Sequence, residues 1–120
     1  DWNVKDWDKK LMKSENNIKF DIVISNPPYI PTNDIKTLKK EVKKYDPYIA
    51  LHGGKDGLDS YRSIFSKLIN IIKNSGKIFI EIGNGQENCV TKIGLEHGLL
   101  PKEYKKDLSG VIRVIVFIIK

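Results

Sequence analysis

Cysteine occurs once in these 120 residues, as Cys89, and histidine twice. A single thiol cannot close an internal disulfide, and a reducing, cytoplasmic setting is the expectation. One cysteine and two histidines cannot build a four-ligand zinc site without carboxylates, so no metal centre is expected. No apolar run approaches the roughly 18 residues that suggest a membrane-spanning helix. The opening Asp1-Trp2-Asn3 is polar and acidic, unlike a signal peptide, and it carries no initiating methionine. That start leads us to expect the end of a longer chain. Arginine is also scarce. The net charge of +6 rests almost wholly on lysine, with Arg62 and Arg113 the two guanidinium groups. Spread-out lysines in a chain rich in Lys, Ile and Asn read as coding bias and solvated faces, so nucleic acid is not expected as a direct partner.

What is present alternates strands with helices. Residues 18–25 form a β-branched run stopped by Asn26-Pro27-Pro28, the pattern of a parallel strand buried on both faces. Residues 34–45 place Ile35, Leu38, Val42 and Tyr45 at helical spacing. A glycine-rich loop follows over 51–57. The clearest helix spans 59–73, with Tyr61, Ile64, Phe65, Leu68, Ile71 and Ile72 on one stripe and Asn74-Ser75-Gly76 as its stop. A strand over 77–82, the turn Gly83-Asn84-Gly85 and a helix over 86–97 come next. In that helix Val90, Ile93 and His97 share a side, and Cys89 is expected to be packed. Strands near 102–107 and over 111–119 close the chain as a hairpin around Ser109-Gly110. This order predicts an α/β fold with a mostly parallel sheet and an antiparallel terminal hairpin.

Asn26-Pro27-Pro28-Tyr29 falls at the carboxyl end of the first strand, where open α/β sheets bind ligands. The Asn26 side-chain oxygen and the Pro27 carbonyl can accept both hydrogens of one amide or amino group. Two prolines lock the backbone that carries them, and Tyr29 offers a flat face for stacking. Such a site holds a weak nitrogen nucleophile in line with an electrophile. It works by positioning and by stabilising the positive charge that grows on nitrogen.

The run Phe20-Asp21-Ile22-Val23-Ile24-Ser25-Asn26-Pro27-Pro28-Tyr29-Ile30 resembles motif IV of S-adenosylmethionine-dependent amino-group methyltransferases. Further blocks narrow the likeness. They are Glu41-Val42 with Tyr45-Asp46-Pro47 and Ala50-Leu51; Gly54 through Arg62; Glu81-Ile82-Gly83 with Gln86; and Asp107-Leu108-Ser109-Gly110 with Arg113-Val114. Together, in order over nearly the whole chain, they resemble the release-factor glutamine-N5 methyltransferases. The resemblance implies a Rossmann-like class I methyltransferase sheet and S-adenosyl-L-methionine as cofactor. It also implies methyl transfer to the glutamine of the Gly-Gly-Gln loop of a peptide chain release factor. It assigns Asn26, Pro27, Pro28 and Tyr29 to substrate binding, with Asn26, Pro27 and Tyr29 catalytic. Asn26 and Trp2 are assigned to the cofactor, Trp2 being preferred over Trp7 as the aromatic near the adenine.

The family's acidic-x-Gly-x-Gly-x-Gly cofactor turn does not precede Asn26. Glu81-Ile82-Gly83-Asn84-Gly85 imitates it, but the third glycine position, residue 87, is Glu, so the segment is read as a strand-end turn. Residues 1–120 are therefore expected to form the carboxyl-terminal part of a methyltransferase catalytic domain, without its cofactor glycine motif or its amino-terminal substrate domain. A missing amino-terminal half would be a partner. The alternatives are a fragment of a nucleic-acid adenine-N6 methyltransferase and an inactive remnant or half of a split enzyme. Glu41 is expected on a solvated helix face, Glu81 beside the crevice and His52 on the surface. Gly53, Gly54 and Gly57 are expected to serve backbone bends.

Overall fold

The architecture is that of a computed structural model, which describes residues 2, 4–35 and 47–120. The described elements run α1 (Trp7–Ser14), β1 (Phe20–Ser25), α2 (Thr32–Ile35), α3 (Tyr48–Leu51), α4 (Asp59–Ile71), β2 (Ile72–Glu81), α5 (Glu87–Glu96), β3 (Leu99–Lys106) and β4 (Ile112–Ile119). The helix expected over 34–45 lies mostly outside the described residues, as do Glu41, Val42, Tyr45 and Asp46.

One four-stranded sheet takes the order β1-β2-β4-β3. β1 and β2 are parallel, while β4 is antiparallel to both β2 and β3. The hairpin turn is tied by Asp107, whose Oδ1 accepts from the Ser109 and Val111 amides at 2.9 and 3.0 Å while Oδ2 accepts from Arg113 at 3.1 Å. Pro101 sits on β3, the end strand of the sheet, where a missing N–H is tolerated.

The core forms where α4 lies on the sheet. Tyr61, Ile64, Phe65, Leu68, Ile71 and Ile72, the stripe read from the sequence, are all buried, against Ile78, Ile80 and Ile115. Phe65 meets Phe117 edge-on at 5.3 Å, and Gly94 of α5 also closes on the Phe117 ring. Val90 and Ile93 are buried as expected, but Cys89 is exposed, at the flank of the buried face of α5.

Two local readings are corrected. The helix ends at Ile71, because Ile72 is already extended, and Asn74-Ser75-Gly76 is no helix cap. Phe20 pairs with Ile72 but Ile22 with Lys77, so residues 73–76 bulge out of β2. Gly76 is required there because a Cβ would run into Ile72. Nor is β1 buried on both faces. Val23 and Ser25 are covered, while Ile22 and Ile24 are 57% and 76% exposed. The described residues leave these two isoleucines largely open, so apolar composition alone overstated the cover.

The first helix, α1, precedes the pattern of alternating strands and helices. It packs on α4 through buried Trp7 and Asp8. Asn70 Nδ2 donates to Asp8 Oδ2 at 2.8 Å, and Lys67 Nζ lies 3.2 Å from Asp8 Oδ1. Burial alone would raise the Asp8 pKa; the bonds from Asn70 and Lys67 outweigh it and hold the carboxyl below its usual value. No described helix is long and apolar enough to cross a membrane.

Candidate functional site

The chain leaves β1 at Ser25, whose ladder partner is Ile80, and turns at once into Asn26-Pro27-Pro28-Tyr29. Asn26 is exposed at the strand end, Pro27 is buried, and Pro28 and Tyr29 are half-buried. These four residues, with Ile30, Ala50 and Leu51, line a pocket of about 140 Å³. The motif and the loop that follows α3 are stitched together. The Ile30 amide donates to the Leu51 carbonyl at 3.0 Å, and the Gly53 amide donates to the Ile30 carbonyl at 2.9 Å.

Gln86 stands behind this turn. Its Oε1 accepts from the Tyr61 hydroxyl at 3.0 Å and from the Gly83 amide at 3.0 Å. Its Nε2 donates to the Tyr29 carbonyl at 3.1 Å and faces the Gly57 carbonyl at 3.4 Å. The packing is close enough to demand glycine. At Gly57, which has φ +77°, a Cβ would meet the Tyr29 carbonyl oxygen at 2.5 Å; at Gly83 it would meet Gln86 Oε1 at 2.8 Å. Gly83 therefore uses its amide on the Gln86 side chain.

Tyr29 keeps its proton more firmly than a free phenol, first because of burial and then because of the nearby Glu81 charge, against a smaller pull from Arg113. It is neutral at physiological pH, suited to stacking and not to acting as a base. Buried Tyr61 is pushed up further by desolvation. Asp56 grips Arg62 with two bonds, at 3.1 and 2.6 Å, and bends the loop into α4; Asp59 adds a third at 2.9 Å. His52 is half-buried, 2.8 Å from Thr32 Oγ1 and stacked on Tyr48, and no metal-ligating cluster occurs among the described residues.

Trp2 lies apart from the pocket. Its ring stands edge-on to Trp7 at 4.7 Å, and it lines a separate apolar cleft of about 220 Å³ with Leu11, Phe20, Ile22, Val23, Ile24 and Ile71. Trp2 and Asn26 thus flank the same strand at different places. The motif itself was evident in the sequence. The roles of Gln86, Tyr61 and the close-packed glycines were not, although Gln86 belonged to one of the matching blocks.

A parallel β1–β2 pair extended by the antiparallel β4–β3 hairpin, with an Asn-Pro-Pro-Tyr turn at the end of β1, defines part of a class I methyltransferase sheet. Solved structures share it. A methyltransferase from Pyrococcus furiosus superposes with a TM-score of 0.55 at 12% identity, over 92% of this chain and 54% of that one. M1.HpyAVI gives a TM-score of 0.54 at 11% identity, over 94% and 51%. The chain belongs to the family described as Eco57I restriction-modification methylase, whose model matches residues 1–83. Among curated proteins it is similar to release factor glutamine methyltransferases. That of Thermodesulfovibrio yellowstonii is 43% identical over 97 residues, 81% of this chain and 35% of the relative. That of Clostridium acetobutylicum is 46% identical over 98 residues, 82% of this chain and 34% of the relative. The chain spans about a third of the length of these relatives.

Proposed function

We propose that this chain is the carboxyl-terminal part of a methyltransferase catalytic domain that moves a methyl group from S-adenosylmethionine to the side-chain amide nitrogen of glutamine in the Gly-Gly-Gln loop of a peptide chain release factor. The observation that carries it is the Asn26-Pro27-Pro28-Tyr29 turn at the end of β1, which lines a pocket of about 140 Å³. Pockets that enclose drug-sized ligands run from about 300 to 1,000 Å³. This one suits the end of a side chain better than a flipped nucleotide. The names of the curated relatives support the same reading.

S-adenosylmethionine, when bound, supplies a methyl group activated by a sulfonium centre. Asn26 and Pro27 accept the two amide hydrogens, turn the nitrogen lone pair outward and oppose the positive charge that builds there. Tyr29 stacks on the amide plane, and Pro28 keeps the turn from relaxing. The nitrogen then sheds one proton to solvent. The apolar cleft at Trp2 offers a flat wall suited to an adenine, with Asn26 at the other end of the strand near the reacting centre. No carboxylate that could hold ribose hydroxyls lines that cleft, so the described residues would supply only part of the cofactor's surroundings.

The family model described as a restriction-modification methylase favours a second reading, methylation of the adenine amino group in nucleic acid. Incubating the full-length polypeptide that carries this sequence with labelled S-adenosylmethionine, a release factor and duplex DNA separates the two. Label in the Gly-Gly-Gln peptide supports the amide reading; labelled DNA with unmodified release factor overturns it. Asn26→Ala should lower transfer by roughly 100-fold or more through lost positioning, measured as initial rate at saturating cofactor.

A further inference from the structure

Asn26, Pro27 and Pro28 hang between two anchors. One is the β1 ladder, ending at Ser25 opposite Ile80. The other is the Tyr29 carbonyl, which receives Gln86 Nε2. The bonds of Ile30 to Leu51 and Gly53 join the motif to the glycine loop but to nothing on β2. The Tyr29 hydroxyl reaches Glu81 at the end of β2, and Gln86 ties the Tyr29 backbone to the same place: its nitrogen faces the motif and the loop, and its oxygen is held by Gly83 after β2 and by Tyr61 of α4. The amide cannot reverse. Two donors converge on Oε1 and two carbonyls face Nε2, so a flip would set oxygen against oxygen. Gln86 does not line the pocket of Asn26 and Pro27, so any effect on the reaction must pass through the turn.

We propose that Gln86 is a positioning residue: its Nε2 donor locks the Tyr29 peptide to the end of β2 and thereby fixes the spacing of the two substrate acceptors at Asn26 and Pro27. For the reaction it serves, this rests on the amide-methylation reading above.

The test uses the full-length polypeptide with Gln86→Glu and Gln86→Met, and Tyr61→Phe as a control that spares the donor end. Gln86→Glu keeps the volume and the acceptor oxygen but loses the N–H donors on ionisation. Amide hydrogen exchange at Ile30 and Gly53 should accelerate about tenfold in both Gln86 variants, with Val23 and Ile24 of β1 unchanged. In methyl transfer, KM for a Gly-Gly-Gln peptide should rise about tenfold while the cofactor Kd stays within about twofold. Tyr61→Phe should leave the peptide KM within about threefold. Unchanged exchange at Ile30 and Gly53 overturns the proposal. So does unchanged peptide KM in an active enzyme. Accelerated exchange in a protein that methylates no glutamine peptide leaves the lock standing and removes the reaction assigned to it. If Gln86→Met does not fold, Gln86→Glu carries the same readouts.

Discussion

A single added methyl group at position 83 would land 2.8 Å from Gln86 Oε1 and 3.0 Å from the Tyr29 ring. Gly83→Ala should therefore destabilise the protein by about 1–3 kcal/mol, the range for overpacking a filled interior, read from urea unfolding. Gly57→Ala should cost at least as much, because a positive φ adds backbone strain to the clash with the Tyr29 carbonyl. Neither glycine announces this in the sequence. Asn26 through Tyr29 could be read directly, because four adjacent residues carry the whole pattern and two prolines fix its shape. Gln86 could not, because its partners Tyr29, Gly57 and Tyr61 lie 57, 29 and 25 residues away. Side-chain bonds over such separations leave no periodic trace. Trp2 shows the same limit. The sequence offers two aromatic candidates, and their places emerge only when Trp7 is buried against α4 and Trp2 is set beside β1.

The elements were legible where periodicity was strong. The stripe predicted every buried position on α4 except Ser60, since the five apolar residues Tyr61, Ile64, Phe65, Leu68 and Ile71 at helical spacing admit little else. Phe65→Ala should cost about 3–5 kcal/mol, because the ring is fully enclosed between α4 and Phe117. Element ends were harder. Ile71 and Ile72 look alike in sequence, yet one closes a helix and the other opens a strand, since strand pairing with Phe20 claims Ile72. The α1–α4 contact turns on Asp8. Its carboxyl is held below the ordinary value, so its contribution to stability is complete above about pH 4 and falls away as pH drops through the lowered value. In Asp8→Ala that acid-dependent part should vanish, and stability at pH 7 should drop by about 1–3 kcal/mol because Asn70 and Lys67 lose their acceptor. Unfolding curves at pH 7 and pH 3 check both.

Across the whole molecule, β1 is an end strand of the sheet with Ile22 and Ile24 open to solvent. Unpaired edges bearing apolar side chains invite association. Ile24→Lys should reduce self-association of the chain in light scattering while changing stability by no more than about 0.5 kcal/mol, as expected for an exposed position. The terminal hairpin followed from the Asp107–Val111 turn, but the expected mostly parallel sheet is corrected: among the described strands only β1–β2 is parallel, because β4 enters between β2 and β3 antiparallel to both. The uncovered face of β1 did not follow, since hydrophobic composition does not say which side a neighbour will occupy. The clasp between Tyr29 and Gln86 also sets an order of events. A ribosome releases the Asn26–Tyr29 turn 57 residues before the glutamine that fastens it, and closing a loop of that length comes late and slowly compared with winding α4. The newly made chain therefore carries the Asn26–Tyr29 turn unfastened until β2 has docked and α5 has begun. The fastening of that turn is a late contact of the folding chain.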